Sequence, residues 1–106
     1  MNKETIDRIR KFTSDRNWQQ FHSPANLAKG LSIEASELLE CFLWDEENYN
    51  IDKVKEELAD VINYCLLMAD KLGVDPKQIV LDKMEKTAKK YPVEKAKGKS
   101  TKYNKL

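Results

Sequence analysis

The segment from Val54 to Leu72 places apolar side chains at intervals of three and four residues, the spacing of one helix face. These apolar positions are Val54, Leu58, Val61, Ile62, Cys65, Leu66, Met68, Ala69 and Leu72. No part of the chain shows the sustained alternation typical of a half-buried strand. The 106 residues include only three Gly and three Pro, and they are rich in Lys, Glu, Leu and Ala. The sequence therefore predicts an all-α fold.

Cap residues followed by proline, and glycine or proline after the last apolar position, mark the ends of helices. These signals predict four helices: about Lys3 to about Asp15, Ser23-Pro24 to about Trp44, Asn50 or Asp52 to Gly73, and Asp75-Pro76 to Tyr91-Pro92. We expect residues 1–92 to form one helical domain and residues 93–106, with five lysines, to form a basic C-terminal tail. The tail is interpreted either as a mobile solubilising segment or as a segment that folds over an anionic ligand.

Charge and hydropathy limit the partners of this chain. Charged residues make up 35% of the sequence, yet the net charge is only +1, which argues against binding to a nucleic-acid polymer. No segment approaches the roughly 20 apolar residues that span a bilayer, and the N-terminus has no apolar signal core. Cys41 and Cys65 have no metal-binding spacing and are expected to be free thiols. We expect a cytoplasmic protein without a membrane partner.

Two consecutive predicted helices carry acidic pairs on or beside their apolar faces. Glu34 and Glu37 form one pair, and Glu57 and Asp60 form the other. Residues three apart are helix neighbours, so each pair can point at one place. The 19 residues between the pairs are enough to finish one helix, turn, and bring the second pair back antiparallel to the first. The spacing therefore predicts four carboxylates gathered between two packed helices.

Four gathered carboxylates repel one another, so something has to neutralise them. The sequence offers no Lys or Arg at the inner positions, and carboxylate oxygens suit a hard divalent cation, Mg²⁺ first and Mn²⁺ as a second possibility. Mg²⁺ commonly shares its ligand sphere with substrate phosphates. The alternative is a solvated acidic face, which is the interpretation given to Glu40, Glu46, Glu47 and Glu56.

The arrangement E34-A-S-E37 followed by E57-L-A-D60 resembles the EXXE…EXXD signature of the MazG-like all-α nucleotide pyrophosphohydrolases. The segments "NWQQFHSPANLAKGLSIEASELLECFLW" and "KMEKTAKKYPVEKAKGKSTKY" narrow the resemblance to the dCTP pyrophosphatase-like branch. It implies a four-helix bundle-type subunit that assembles as a dimer or a dimer of dimers. It also implies Mg²⁺-dependent hydrolysis of a nucleoside triphosphate to the monophosphate and diphosphate, with dCTP or a modified dCTP favoured. Ile33 and Ser36 depart from the branch, which often has glycine there.

Carried over to this chain, the resemblance implies that Glu34, Glu37, Glu57 and Asp60 are the metal ligands. The implied nucleoside contacts are Trp18, His22, Trp44 and Tyr64. On residue chemistry alone, Trp18 and Trp44 can stack on a base. The lysines Lys83 and Lys90, seven residues apart on the fourth helix, are expected to meet triphosphate oxygens.

No arrangement of Ser, Cys or His suggests a covalent intermediate, so direct attack by water is the simpler mechanism. Glu34 and Glu37 are the predicted catalytic carboxylates, and Glu37, at the edge of the apolar stripe, is preferred as the base. Two other functions stay open at this point. One is a non-enzymatic helical interaction module whose acids pair with the lysine-rich tail. The other is a pyrophosphohydrolase for another nucleotide, such as dUTP or phosphoribosyl-ATP.

Overall fold

A computed structural model describes all 106 residues, and it contains helices and connecting turns but no strand. The helices are α1 (Lys3–Asp15), α2 (Pro24–Glu40), α3 (Ile51–Leu72), α4 (Pro76–Lys90) and the short α5 (Val93–Ala96), with 3₁₀ turns at Trp18–Phe21 and Tyr103–Lys105. The predicted all-α class is confirmed. The fifth helix was not predicted, because four residues are too few to carry a periodic apolar pattern.

Side-chain caps explain where the long helices begin. The hydroxyl of Ser23 accepts a hydrogen bond from the Asn26 N–H at 3.1 Å, and the Asp75 carboxylate accepts one from the Lys77 N–H at 3.0 Å. Asn50, rather than Asp52, is the cap of α3. Gly73 ends α3 in the left-handed conformation at φ 68°, which glycine adopts without steric cost.

Helix α2 ends at Glu40, four residues before the predicted end at Trp44. The N–H groups of Cys41, Phe42 and Leu43 donate to carbonyls three residues back, at 3.0–3.3 Å, instead of four. The chain therefore leaves the α-helix through tighter turns while its apolar spacing continues. A periodicity argument follows the side chains and cannot detect this change of backbone hydrogen bonding.

The structure divides into two compact units, of which the first is Met1–Val74. In this unit α2 packs along α3, and α1 packs against α3. Its buried apolar side chains are few, namely Leu27 from α2 and Leu66 and Ala69 from α3. An ion pair of 2.6 Å between Arg10 and Asp70 also joins α1 to α3. The α2–α3 pair is thus the frame of the unit, and it carries both acidic pairs.

The second unit is Asp75–Leu106 and contains α4, α5 and the terminal 3₁₀ turn. The Tyr103 N–H donates to the Tyr91 hydroxyl at 3.1 Å, and the two rings meet edge to face at 6.0 Å. The ammonium of Lys90 lies 4.7 Å from the centre of the Tyr103 ring. Part of the predicted basic tail is therefore folded back on the end of α4.

None of the five α-helices is both long enough and apolar enough to cross a lipid bilayer.

Candidate active site

Three acidic side chains converge between α2 and α3. Glu34, Glu37 and Glu57 each contribute a carboxylate oxygen, and these oxygens all lie within 4.8 Å of one another. Glu34 and Glu37 stand on successive turns of α2, and Glu57 faces them from α3. The side chain of Glu57 is buried, with 6% of the residue exposed. Three of the four acids singled out in the sequence thus form one group, called here the acid cluster.

The pKa values of Glu37 and Glu57 are shifted in opposite directions. A hydrogen bond shared with Glu34, followed by repulsion from the Glu34 charge, raises the pKa of Glu37 to about 7. The pKa of Glu57 is lowered instead, chiefly because Lys53 donates a hydrogen bond to it, although burial opposes this. Glu57 is therefore the fixed anion of the group, while Glu37 can hold or release a proton near neutral pH.

Two oxygens of the acid cluster are buried without a hydrogen-bond partner: Oε2 of Glu34 and Oε2 of Glu57. A buried carboxylate oxygen with no partner is costly, and a bound cation is one way to satisfy it. The donor set consists only of carboxylate oxygens, the ligands that Mg²⁺ and Mn²⁺ prefer. The residues present therefore fit a hard divalent cation.

The expectation that no Lys or Arg lies at these inner positions was wrong. The Nζ atom of Lys53 is 2.8 Å from Oε1 of Glu57. Lys53 lies one turn before Glu57 on α3, and its long stem carries the ammonium to the cluster while 58% of the side chain stays exposed. The sequence feature that indicates this contact is the i,i+4 spacing of Lys53 and Glu57, which places the two residues side by side on a helix.

The acid cluster opens into a cleft of about 450 Å³ lined by Glu37, Glu40, Cys41, Lys53 and Glu57. Glu40 was interpreted as an ordinary surface acid, but it lines this cleft because it lies one turn beyond Glu37. Cys41 is a free thiol, as expected, and its Sγ donates to the Glu37 carbonyl at 3.6 Å. Neither residue was among the predicted site residues.

Asp60 lies one turn beyond Glu57 on α3, is exposed, and is outside the acid cluster. Its assignment as a fourth metal ligand stays a prediction.

Tyr64 packs against the backbone of α2 at Gly30. A Cβ atom at Gly30 would lie 2.7 Å from Cζ of Tyr64, closer than real Cβ contacts allow. Gly30 is one turn before Glu34, and Tyr64 is two turns beyond Glu57, so this contact continues the antiparallel seam that carries the acid cluster. Sequence reasoning missed Gly30, because a single glycine inside a helix gives no indication of what approaches it.

Replacing Gly30 with alanine is expected to destabilise the protein by about 1 kcal/mol. Overpacking costs roughly 1–3 kcal/mol, and this outweighs the gain of at most about 1 kcal/mol in helix propensity. Urea denaturation measures the change. In a Tyr64→Ala background the sign should reverse, because the ring is gone and only the propensity gain remains. A stabilising Gly30→Ala change in the wild-type background would contradict the close packing.

The aromatic and histidine residues assigned to the nucleoside lie outside the acid cluster. Trp18 meets Phe12 edge to face at 5.8 Å and is half exposed, while Trp44, in the turns after α2, is 92% exposed. His22 lines a separate cavity of about 210 Å³. The other residues of that cavity are Arg10, Thr13, Gln19, Leu67, Asp70 and Lys71. Leu67 is ten residues beyond Glu57, roughly 15 Å along α3.

The lysines expected to meet phosphate oxygens lie on α4, in the second unit. Lys83 borders an apolar groove of about 540 Å³ together with Ile79, Val80 and Met84. Lys90 contacts the Tyr103 ring. Their contact with a triphosphate stays a prediction.

Comparisons with known proteins agree with this geometry. The MazG-like family matches residues 29–106, a segment that contains all four predicted acids. The dCTP pyrophosphatase 1 of Bos taurus is 36% identical over 115 residues, covering 96% of this chain and 68% of that protein, and the human dCTP pyrophosphatase 1 is 34% identical over the same shares. A crystal structure of a pyrophosphatase from Archaeoglobus fulgidus has a TM-score of 0.76 and 39% identity, covering 85% of this chain and 91% of that one.

Proposed function

Because this chain belongs to the MazG-like family, we propose that it is a Mg²⁺-dependent nucleoside triphosphate pyrophosphohydrolase. The coarser assignment, a nucleotide pyrophosphohydrolase, is shared by its dCTP pyrophosphatase relatives and agrees with the similar pyrophosphatase structure. The finer assignment is the reaction (d)NTP + H₂O → (d)NMP + diphosphate. The observation that carries it is the acid cluster, with two buried carboxylate oxygens that have no partner.

In this proposal Glu34, Glu37 and Glu57 hold the metal, and Asp60 supplies a fourth carboxylate from the next turn of α3. Mg²⁺, or Mn²⁺ in its place, would neutralise phosphate charge and lower the pKa of a bound water. The carboxylate of Glu57 is a fixed anchor in this proposal, because it is buried and its Oε2 atom has no hydrogen-bond partner. The other roles, which are binding the substrate and accepting the proton, are proposed for side chains of this chain.

Glu37 is proposed to take the proton of the attacking water. Glu37 lines the cleft, so a carboxylate oxygen that does not hold the metal can accept the proton there. Glu34, which shares a hydrogen bond with Glu37, is the second catalytic carboxylate and orients it. Water attacks phosphorus directly in this proposal. The one thiol in the cleft, that of Cys41, donates a hydrogen bond to the Glu37 carbonyl.

The proposed substrate is dCTP or a modified dCTP, and the support is the similarity to dCTP pyrophosphatases. Trp18 is half exposed and Trp44 is 92% exposed. We propose that a base stacks on one of these rings, a contact worth about 1–3 kcal/mol. His22 and Tyr64 are proposed to complete the nucleoside contacts. Lys83 and Lys90 are proposed to bind phosphate oxygens.

The assay that tests this function follows diphosphate release from dCTP, dUTP, dATP and phosphoribosyl-ATP, each with and without Mg²⁺. We expect Mg²⁺-dependent release with dCTP as the best substrate. If another nucleotide is the best substrate, the proposed dCTP preference is wrong but the proposed reaction type still holds. If no nucleotide is hydrolysed, and if Mg²⁺ with nucleotide leaves the melting temperature unchanged, the alternative of a helical interaction module replaces the enzyme.

We also propose that the chain works as a homodimer or homotetramer. Many large apolar side chains are exposed, among them Ile33, Leu39, Leu43 and Trp44 around α2, and Ile79, Val80 and Met84 on α4. Ile79, Val80 and Met84 border one apolar groove, and contiguous exposed apolar surface on a small protein commonly marks a protein interface. Light scattering should therefore give two or four times the 12.4 kDa mass of one chain.

A further inference from the structure

Lys53 is the only cation that touches the acid cluster. Its ammonium lies 2.8 Å from Oε1 of Glu57, and the other oxygen of the same carboxylate, Oε2, is buried without a partner. The remaining ion pairs of the structure join Arg10 to Asp7 and Asp70, and Lys11 to Asp15, all away from the cleft. Lys53 therefore holds a positive charge against the same carboxylate whose other oxygen is available to a divalent cation.

We propose that Lys53 is a tethered counter-ion that competes with the metal for Glu57 and so sets the metal affinity of this enzyme. The inference rests on the proposed function, because it assumes that the acid cluster is the metal site. A positive charge held 2.8 Å from a ligand oxygen opposes metal binding in two ways. It uses one lone-pair direction of the carboxylate, and it repels a second cation brought to the same group.

The packing of Lys53 makes displacement feasible. Its side chain is 58% exposed, whereas that of Glu57 is 8% exposed. The buried carboxylate is thus fixed, and the lysine can leave it for water when a divalent cation takes its place, because the exposed lysine regains its conformational freedom and its hydration. Once displaced, the ammonium stays within reach of the cleft that it already lines. Lys53 is a positioning residue in this proposal, since it acts on the metal through Glu57.

The test uses Mn²⁺ as the probe, with free Mn²⁺ measured by electron paramagnetic resonance on the full chain. Lys53→Met removes the charge and keeps much of the stem. Lys55→Met is the matched control, because it removes the same charge two residues away, where no ion pair is formed. Lys53→Arg keeps the charge. We expect Mn²⁺ to bind Lys53→Met about tenfold more tightly than Lys55→Met, and Lys53→Arg to bind like the wild type.

Thermal unfolding of the same variants separates competition from a purely structural role. In chelator, Lys53→Met should melt below Lys55→Met, because the carboxylates lose their only cation. At saturating Mn²⁺ the two melting temperatures should converge. A structural role alone would lower the melting temperature of Lys53→Met equally in both conditions, and that result would overturn the inference.

The binding data also separate this inference from the proposed function. Equal Mn²⁺ affinity for Lys53→Met and Lys55→Met, or weaker binding by Lys53→Met, overturns the role of Lys53 while leaving the metal site in place. Absence of Mn²⁺ binding in every variant overturns both. If the Glu37→Gln variant binds Mn²⁺ as tightly as the wild type, the metal site is not the acid cluster. That result would overturn the role of Lys53 as well.

Discussion

Replacing Glu37 with glutamine is expected to lower kcat/KM by about 1,000-fold or more while leaving the helical content unchanged. The substitution removes one proposed metal ligand and the proposed base, and metal-assisted charge stabilisation alone is worth several kcal/mol, each 1.4 kcal/mol being tenfold in rate. Diphosphate release from the best substrate at saturating Mg²⁺ measures the loss, and circular dichroism measures the helices. The same loss is expected for Asp60→Asn.

Glu37→Gln should also raise the melting temperature of the metal-free protein above pH 7. The pKa of Glu37 is raised in the folded protein, to about 7 from an ordinary value of 4.5. The folded state therefore holds a proton that the unfolded chain has already lost between these two values, and ionised Glu37 destabilises the fold above them. Glutamine removes that charge, so a loss of activity should accompany a gain in stability.

Glu56→Gln is the control for both measurements. It removes the same charge from an exposed position on α3 outside the acid cluster, and it should change neither turnover nor stability appreciably. If the turnover of Glu37→Gln is within a few-fold of that of Glu56→Gln, the assignment of Glu37 to the active site is contradicted.

Replacing Leu27 with alanine is expected to destabilise the first unit by about 3 kcal/mol. Leu27 is 1% exposed and is the only large side chain that is completely enclosed. Cutting a buried leucine back to alanine costs about 2–5 kcal/mol, since the transfer energy is lost and a cavity is left. In a domain of this size that corresponds to a fall in melting temperature of roughly 10–20 °C, which calorimetry measures.

Leu39→Ala is the matched control, on the same helix but 62% exposed. Within one chain, this substitution should lower the free energy of unfolding by less than about 1 kcal/mol. If α2 also packs against a second copy of the chain, as proposed, any loss of stability at Leu39 should be largest at high protein concentration and should shrink on dilution, as the assembly dissociates, whereas the loss at Leu27 should not change. Similar, concentration-independent losses for the two variants would contradict the burial pattern.

The sequence predicted the long helices well because their signals are local. Asp75-Pro76 and Gly73 act through neighbouring backbone groups, and the structure uses each as expected. The convergence of Glu34, Glu37 and Glu57 was also predictable, because two i,i+3 pairs on consecutive helices meet when the helices pack antiparallel. The alternative of a solvated acidic face does not describe Glu57, which is buried.

The features that the sequence did not predict depend on where side chains end in three dimensions and on which groups they contact there. Lys53 reaches the acid cluster by the length of its stem, and periodicity arguments assign a lysine to solvent without following where its ammonium ends. Gly30 matters because of a ring from another helix. Asp60 has the expected spacing but lies outside the cluster, since a position on a helix margin does not determine where a side chain points.

The acid cluster is assembled from residues only 23 positions apart, Glu34 to Glu57, on two helices joined by one short connection. Contacts between residues near in sequence need little loop closure and form early in folding. The charged site should therefore be complete as soon as the α2–α3 hairpin closes, before residues 75–106 have left the ribosome. If the acid cluster is the metal site, as proposed, a divalent cation can therefore bind to the nascent chain and act as a ligand during its folding.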